Sequence, residues 1–238
     1  MDDLGRQGHR ILDHGDNAVG CNTQTRTFKN AVYDHLATVG KALSSSTRLE
    51  ILEVLTQAPR TVDSIATEVE QSVANTSQHL QKLKNARLVT GQRDGLHVIY
   101  SLSGEDVVEL LDQLNQVAGE HIKELEVLAT EFFEERDGLE AVDHHTLLER
   151  IKDGTAVLID VRPKVEYNAG HLPEAVSIPI DELEAHIERL PTDRTIVAYC
   201  RGPYCAWSAD AVKQLRARGY DARRADVSAP FYSGGDQP

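Results

Sequence analysis

The chain has 238 residues, 40% hydrophobic and 26% charged, with a formal net charge of −13 and three cysteines. That length suits two domains of about 100 residues each, and Cys21, Cys200 and Cys205 are too few and too unevenly placed for a disulfide framework. No apolar run approaches the roughly 20 residues that cross a bilayer, and the start Met1-Asp2-Asp3-Leu4-Gly5 is no secretory signal, so a cytoplasmic chain with no membrane partner is expected.

The acidity is uneven. Residues 1–27 carry a net −1, residues 28–103 a net +1 and residues 104–238 a net −13. A near-neutral first half is compatible with nucleic acid if its basic groups gather on one face, as Lys82, Lys84, Arg87 and Arg93 are placed to do.

Residues 1–26 are polar and rich in Gly, Asp and Asn, which predicts a disordered tail holding Cys21, either as an incidental thiol or in a redox role. From Thr27 the spacing of Phe28, Val32, Leu36, Val39 and Leu43 predicts a helix. A second helix follows Ser44-Ser45-Ser46-Thr47 and ends at Pro59; a short third covers Thr61–Val69; a fourth, introduced by Ser72, covers Val73–Ala86. Two β-like runs, Leu88–Arg93 and His97–Leu102, are joined by Asp94-Gly95, a strong hairpin signal. From Gly104 to about Arg136 the recurrence of Val107, Leu111, Leu114, Ala118, Ile122, Leu125, Leu128 and Phe132 predicts one long helix, about 45 Å if continuous. Its apolar stripe exceeds what one small domain buries. A dimer seam is the expected use, with packing on the chain's own second half as the alternative.

Past Asp137-Gly138 the pattern changes to short apolar runs, Ala156–Ile159 and Thr195–Tyr199, of the kind found in buried parallel strands. Helical segments lie between them near 164–168 and 181–190, and another follows Cys205. The expected division is a tail over 1–26, a winged-helix and dimerisation domain over 27–136, a linker over 137–143 and an α/β domain over 144–238.

Two places carry chemistry. The fourth helix opens with Asn75-Thr76-Ser77-Gln78-His79, side chains suited to base edges and phosphates in a major groove; Gln81, Lys82 and Lys84 follow, and Arg93 and His97 flank the hairpin tip. These ten residues are the expected contacts to double-stranded DNA. In the second half, Cys200 stands at the end of a strand just before a helix, where backbone N–H groups converge to stabilise a thiolate and a bound anion, and Arg201 adds positive charge. Cys205 is placed either to pair with a modified Cys200 or to be a buried residue at the helix start. Gly202, Pro203, Tyr204 and Ala206 complete the expected anion-binding loop.

The stretches Lys41–Leu52, Thr76–Leu83 and Gly95–Tyr100 resemble the ArsR family of winged-helix repressors, over about residues 28–125. The resemblance implies a homodimer that binds an operator and releases it when an inducer binds. Many members sense metals through cysteines on the third helix, but residues 61–69 contain none, and His121, Glu124 and Asp106 fall short of a four-ligand site. Neither metal nor cofactor is therefore expected. Asp160-Val161-Arg162, Gly170-His171-Leu172-Pro173 and the Cys200 loop resemble the rhodanese (sulfurtransferase) domain, over about residues 140–226. That resemblance implies a central parallel sheet, a persulfide carried on Cys200, and bracing roles for Asp160, Arg162 and His171. The loop Cys200–Ser208 is longer than the usual six-residue cradle, and Ala225–Tyr232 replaces the usual Gly-Gly turn and Trp.

Together these readings predict a multidomain regulator of the repressor type: a mainly-α winged helix-turn-helix with a β-hairpin wing and a long dimerisation helix, then an α/β rhodanese-like domain. The second domain is expected to report a small sulfur-containing or anionic effector through Cys200. The rivals are a sulfurtransferase enzyme using the winged helix as a tether, with weak thiosulfate or persulfide turnover, and an arsenate- or phosphate-type anion site in the same loop.

Overall fold

A computed structural model describes residues 23–137, 141–142, 144–225 and 227. Cys21, most of the expected tail and the chain after Val227 lie outside the described residues. Two units are distinguished, one ending at Lys41 and one starting at Ala42.

The first unit is helical. Helix α1 (Thr23–Leu43) begins four residues before the expected start at Thr27, so residues 23–26 belong to a helix and not to a tail. The Thr27 hydroxyl donates to the Thr23 carbonyl within that first turn. Phe28, Tyr33 and Leu36 are exposed along α1.

The second unit opens with α2 (Ser46–Gln57), strand β1 (Arg60–Thr61), α3 (Val62–Glu68) and α4 (Val73–Asn85). Ile51, Leu52, Val54, Leu55, Ile65, Leu80 and Leu83 make the core between these helices. Each short helix has its start signal: Thr61 accepts from the Ser64 N–H and Ser72 from the Asn75 N–H, meeting orphan donors of the first turn. The wing is the expected hairpin, β2 (Val89–Asp94) with β3 (His97–Leu102), closed by Gly95 at φ +57° and Leu96. Strand β1 adds to β3, which the sequence did not suggest for so short a run.

The long helix expected over 104–136 is instead two: α5 (Glu105–His121) and α6 (Lys123–Asp137). Ile122 leaves the helix at φ −105°, ψ 92°; its N–H still closes α5 on Ala118 while its carbonyl accepts from Leu125 at the start of α6. A β-branched residue three positions after Gly119 is a weak place to hold a helix straight. The break turns α6 onto α10 of the second half, where Phe133 is buried with the Arg224 guanidinium 4.3 Å above its ring. Helix α6 thus packs on the chain's own α/β half through Phe133, one position off the expected stripe. Leu114, Val117, Val127 and Leu128 stay exposed.

The second half is a five-stranded parallel sheet in the order β4-β8-β7-β5-β6, from β4 (Ala141–Val142), β5 (Ala156–Asp160), β6 (Val176–Ser177), β7 (Thr195–Tyr199) and β8 (Ala222–Ala225). Helices α7 (His144–Lys152), α8 (Lys164–Ala169), α9 (Leu183–His186, continued by a 3-10 turn over Ile187–Arg189) and α10 (Ala206–Ala217) connect them. Both faces are covered, so β7 is buried from Ile196 to Tyr199, but its residues still alternate. Val197 and Tyr199 point into the layer with Leu147 and Leu158; Ile196, Ala198 and Cys200 point into the layer with Ala211, Val212 and Leu215 of α10. This alternation decides where the thiol goes.

Candidate functional site

On α4 the inner face is Thr76, Leu80 and Leu83, spaced i, i+4, i+7. Thr76 is therefore fully buried and unavailable to DNA, contrary to expectation. Among the described residues its hydroxyl has no hydrogen-bond partner. Thr76→Val should leave operator affinity within about twofold and hold or raise unfolding stability by up to about 1 kcal/mol, because it removes an unsatisfied buried group; fluorescence anisotropy and a urea titration check the two halves. Ser77, Gln78, Gln81, Lys82 and Lys84 are exposed on the outer face, with Arg93 and His97 exposed on the wing. Asn75 is half-buried and donates to Gln71 at 2.7 Å, and Gln81 donates to Asn85 at 2.8 Å. His79 is half-buried; burial, then the nearby Arg48 and Lys82 charges, holds its imidazole below the usual range.

The second place is built where β7 meets α10. Cys200 is 1% exposed because strand alternation aims its side chain under α10. Its thiol lies 3.4 Å from the Cys205 carbonyl, to which it donates, and 3.2 Å from the Ser208 hydroxyl. Burial, the largest influence, pushes the Cys200 pKa up, but hydrogen bonds from the Cys205 and Ser208 side chains and from the Ser208 and Gly202 backbones outweigh it and hold the thiol at about 7. Ser208 stands in the first turn of α10. The Cys205 thiol, by contrast, is pushed up by its hydrogen bond with Cys200, by burial and by the Cys200 charge. Both thiols are free, and Cys205 is the more exposed.

Alkylation of Cys200 should accelerate with pH through a midpoint of about 7 and level off above it, since only the thiolate reacts. Ser208→Ala removes a bond that favours the thiolate and should move that midpoint upward. Iodoacetamide kinetics read by mass spectrometry across a pH series test both expectations.

Arg201 does not stand free over the thiol. Its Nε donates to both Glu166 oxygens at 3.1 Å, its Nη2 reaches Glu68 at 2.5 Å, and its guanidinium lies 4.3 Å over the Trp207 ring. The expected positive charge of the loop is neutralised by two carboxylates. Glu166, on α8, is wholly buried and is shared with Arg60 of β1, which also reaches Ser64 at 3.0 Å and Glu68 at 3.4 Å. Gly202, Pro203 and Tyr204 line a cavity of about 290 Å³ against α2 and α5. Ala206 opens α10. A Cβ on Gly119 would stand 3.2 Å from the Tyr204 hydroxyl, so glycine permits this close approach of α5.

Asp160 and Arg162 are both fully buried and paired: Arg162 donates to Asp160 at 2.7–3.1 Å and to the Gly170 carbonyl at 2.8 Å. Asp160 also accepts from the Tyr199 hydroxyl at 2.6 Å. Arg162 further donates to Gln57 of α2 at 2.7 Å. His171 stacks on Tyr167 at 3.8 Å, with its Nδ1 2.9 Å from the Tyr167 carbonyl. Gln57, Arg60, Glu68 and Glu166 went unremarked in the sequence. No local signal marks them, because each partner lies 35 to 133 residues away or on another element. Among the described residues no group of three or more His, Cys, Asp or Glu is arranged to hold a metal ion, and no helix is long and apolar enough to cross a membrane.

A three-helix core, an exposed polar α4 and a β-hairpin wing, followed by a parallel sheet with a cysteine at the β7–α10 junction, define a winged-helix DNA-binding regulator carrying a rhodanese-like domain. Residues 45–90 match the model of the bacterial regulatory protein, arsR family, and residues 143–230 that of the rhodanese-like domain. The chain is 41% identical over 198 residues to the HTH-type transcriptional regulator Rv0324 of Mycobacterium tuberculosis, covering 83% of this chain and 87% of that one. It belongs to the ArsR family of HTH-type transcriptional regulators, in a form joined to a rhodanese-like domain. It is also 32% identical over 80 residues to a sulfurtransferase of Allochromatium vinosum, covering 33% of this chain and 73% of that one. The solution structure of the homodimeric winged helix-turn-helix DNA-binding domain (fragment 1–100) Mb0332 from Mycobacterium bovis is 41% identical over 40% of this chain and 87% of that one, with a TM-score of 0.38.

Proposed function

We propose that this regulator binds its operator as a homodimer and that its rhodanese-like domain senses reactive sulfur through Cys200. The observation that carries the reading is the thiol itself: Cys200 is hydrogen-bonded at the start of α10, with Ser208 3.2 Å away and the second free thiol, Cys205, beside it. The dimer reading rests on the apolar side chains left exposed on α5 and α6, Leu114, Val117, Val127 and Leu128. The DNA-facing set is Ser77, Gln78, Gln81, Lys82 and Lys84 of α4 with Arg93 and His97 of the wing, supported by Asn75 and His79.

Inorganic polysulfide supplies both the transferred sulfur and the oxidising equivalents. The Cys200 thiolate attacks a sulfane sulfur of an inorganic polysulfide, a sulfur–sulfur bond breaks, and the shortened polysulfide leaves with the electron pair. Cys200 becomes a persulfide. If the Cys205 sulfur then attacks Cys200 Sγ, the terminal sulfur departs as hydrosulfide, taking up the Cys205 proton, and a Cys200–Cys205 disulfide remains.

The test is tetrasulfide treatment of the full chain, mass spectrometry of the peptide spanning 200–205, and an operator titration before and after. Sulfur on Cys200 together with a change in operator affinity, lost in Cys200→Ser, is the expected result. Unchanged affinity in a fully modified wild type sinks the reading. The likeness to a sulfurtransferase supports a second reading, an enzyme tethered by its winged helix. Rapid multiple turnover with thiosulfate or 3-mercaptopyruvate favours the enzyme; stoichiometric modification favours the sensor.

A further inference from the structure

The ion pairs around Arg201 join the reactive loop to the helix that precedes the DNA-reading one. Arg201 follows Cys200 directly in the chain, and its guanidinium is divided between buried Glu166 and Glu68. Glu68 is the last residue of α3. Beyond it the chain is wired tightly into α4. The Val69 N–H bonds to Ile65, the Gln71 N–H bonds to Ala66 at 2.9 Å, Glu70 turns at φ +48°, and Ser72 caps α4. The Gln71 side chain then accepts from Asn75 in the first turn of α4. A displacement of Glu68 therefore has little slack to absorb it before the recognition helix.

At the other end, Cys200 is only 1% exposed. It is packed among Ala211, Val212 and Leu215, and a close-packed interior does not admit an added sulfur atom without movement. The core on that side is strand and helix; the loop 201–205 belongs to neither, and its Cys205 N–H bonds back to the Gly202 carbonyl at 3.1 Å. A Cys200–Cys205 bridge would reshape the same loop. Arg201 would move with it, and its ion pairs with Glu166 and Glu68 would have to break or re-form.

We propose that Glu68 and Arg201 form the strut by which the Cys200 loop sets the position of α4, Glu68 being a positioning residue for DNA recognition. This rests on the sensing reading above. The strut explains why Arg201 is held by carboxylates instead of being left to bind an anion. It also gives Glu166 and Arg60 a role as the anchor against which the strut works.

The experiment compares the full-length wild type, Glu68→Gln and the conservative Glu68→Asp. Each is titrated with operator DNA before and after tetrasulfide, with the sulfur on Cys200 counted by mass spectrometry. Glu68 is partly exposed, so neither replacement empties the core. The expected wild-type ratio of the two affinities is about tenfold or more, within the usual range of allosteric coupling. Glu68→Gln should take up sulfur to the same extent while its ratio falls below about threefold, and Glu68→Asp, which keeps the charge, should recover part of the difference. A ratio kept in full by Glu68→Gln overturns the strut alone. A wild-type ratio of one at full modification overturns the sensing reading and the strut together.

Discussion

Arg162→Ala should lower the unfolding free energy by about 3–5 kcal/mol, the range found when one member of a buried ion pair is removed. Both partners are fully buried, so no solvent is at hand to take over the Asp160 carboxylate. The substitution deletes the paired bonds to Asp160, the bond to the Gly170 carbonyl and the bond to Gln57. Asp160 keeps the Tyr199 hydroxyl and the Arg162 backbone N–H. Those neutral donors do not compensate a buried negative charge. Urea unfolding followed by fluorescence of Trp207, the single tryptophan, reports the loss as a lower midpoint. A double replacement, Asp160→Asn with Arg162→Met, should lose less than Arg162→Ala alone, because no unpaired charge remains in the interior. An Arg162→Ala protein as stable as the wild type would contradict this account of the bracing pair.

Glu166→Ala should be nearly as damaging, again by about 3–5 kcal/mol. Here the deleted group is the acceptor, and what remains is two guanidiniums of the same sign, Arg60 buried and Arg201 largely so. Glu68 is left to serve them both, at 3.4 and 2.5 Å. Glu166→Gln keeps the shape and one acceptor oxygen and should lose only part of that stability. Because the network ties α3 to the Cys200 loop, limited proteolysis of Glu166→Ala should cut between residues 200 and 206 sooner than in wild type. Unchanged stability and an unchanged cleavage pattern would remove Glu166 from its anchoring role.

Much of the local structure was legible because it depends on near neighbours. The Asp94-Gly95 turn placed the wing, the Ser72 cap opened α4, and the apolar runs Ala156–Ile159 and Thr195–Tyr199 announced buried strands. Thr76 was legible in principle, since it shares the period of Leu80 and Leu83. Its polarity drew it to the wrong face. The continuous helix over 104–136 failed for a different reason: periodicity carries through a one-residue break at Ile122, so the apolar pattern persists while the axis turns. The turn is set by what α6 reaches, namely α10 and Arg224.

The Cys200 loop divides along the same line. Order along the chain alone put Cys200 between a strand and a helix start, where N–H groups converge on a thiolate. Strand alternation then turned the thiol inward, and only the packed domain shows that it is buried beneath α10 with Ser208 and Cys205 against it. Arg201 is the clearest case of what tertiary structure alone decided. Next to Cys200 in sequence it reads as a charge for the thiolate; in the fold its charge belongs to Glu166 and Glu68, 35 and 133 residues away. Hydrophobic spacing specifies which face of an element is buried. It does not specify which distant carboxylate a buried guanidinium meets, because that pairing exists only once the two halves are packed.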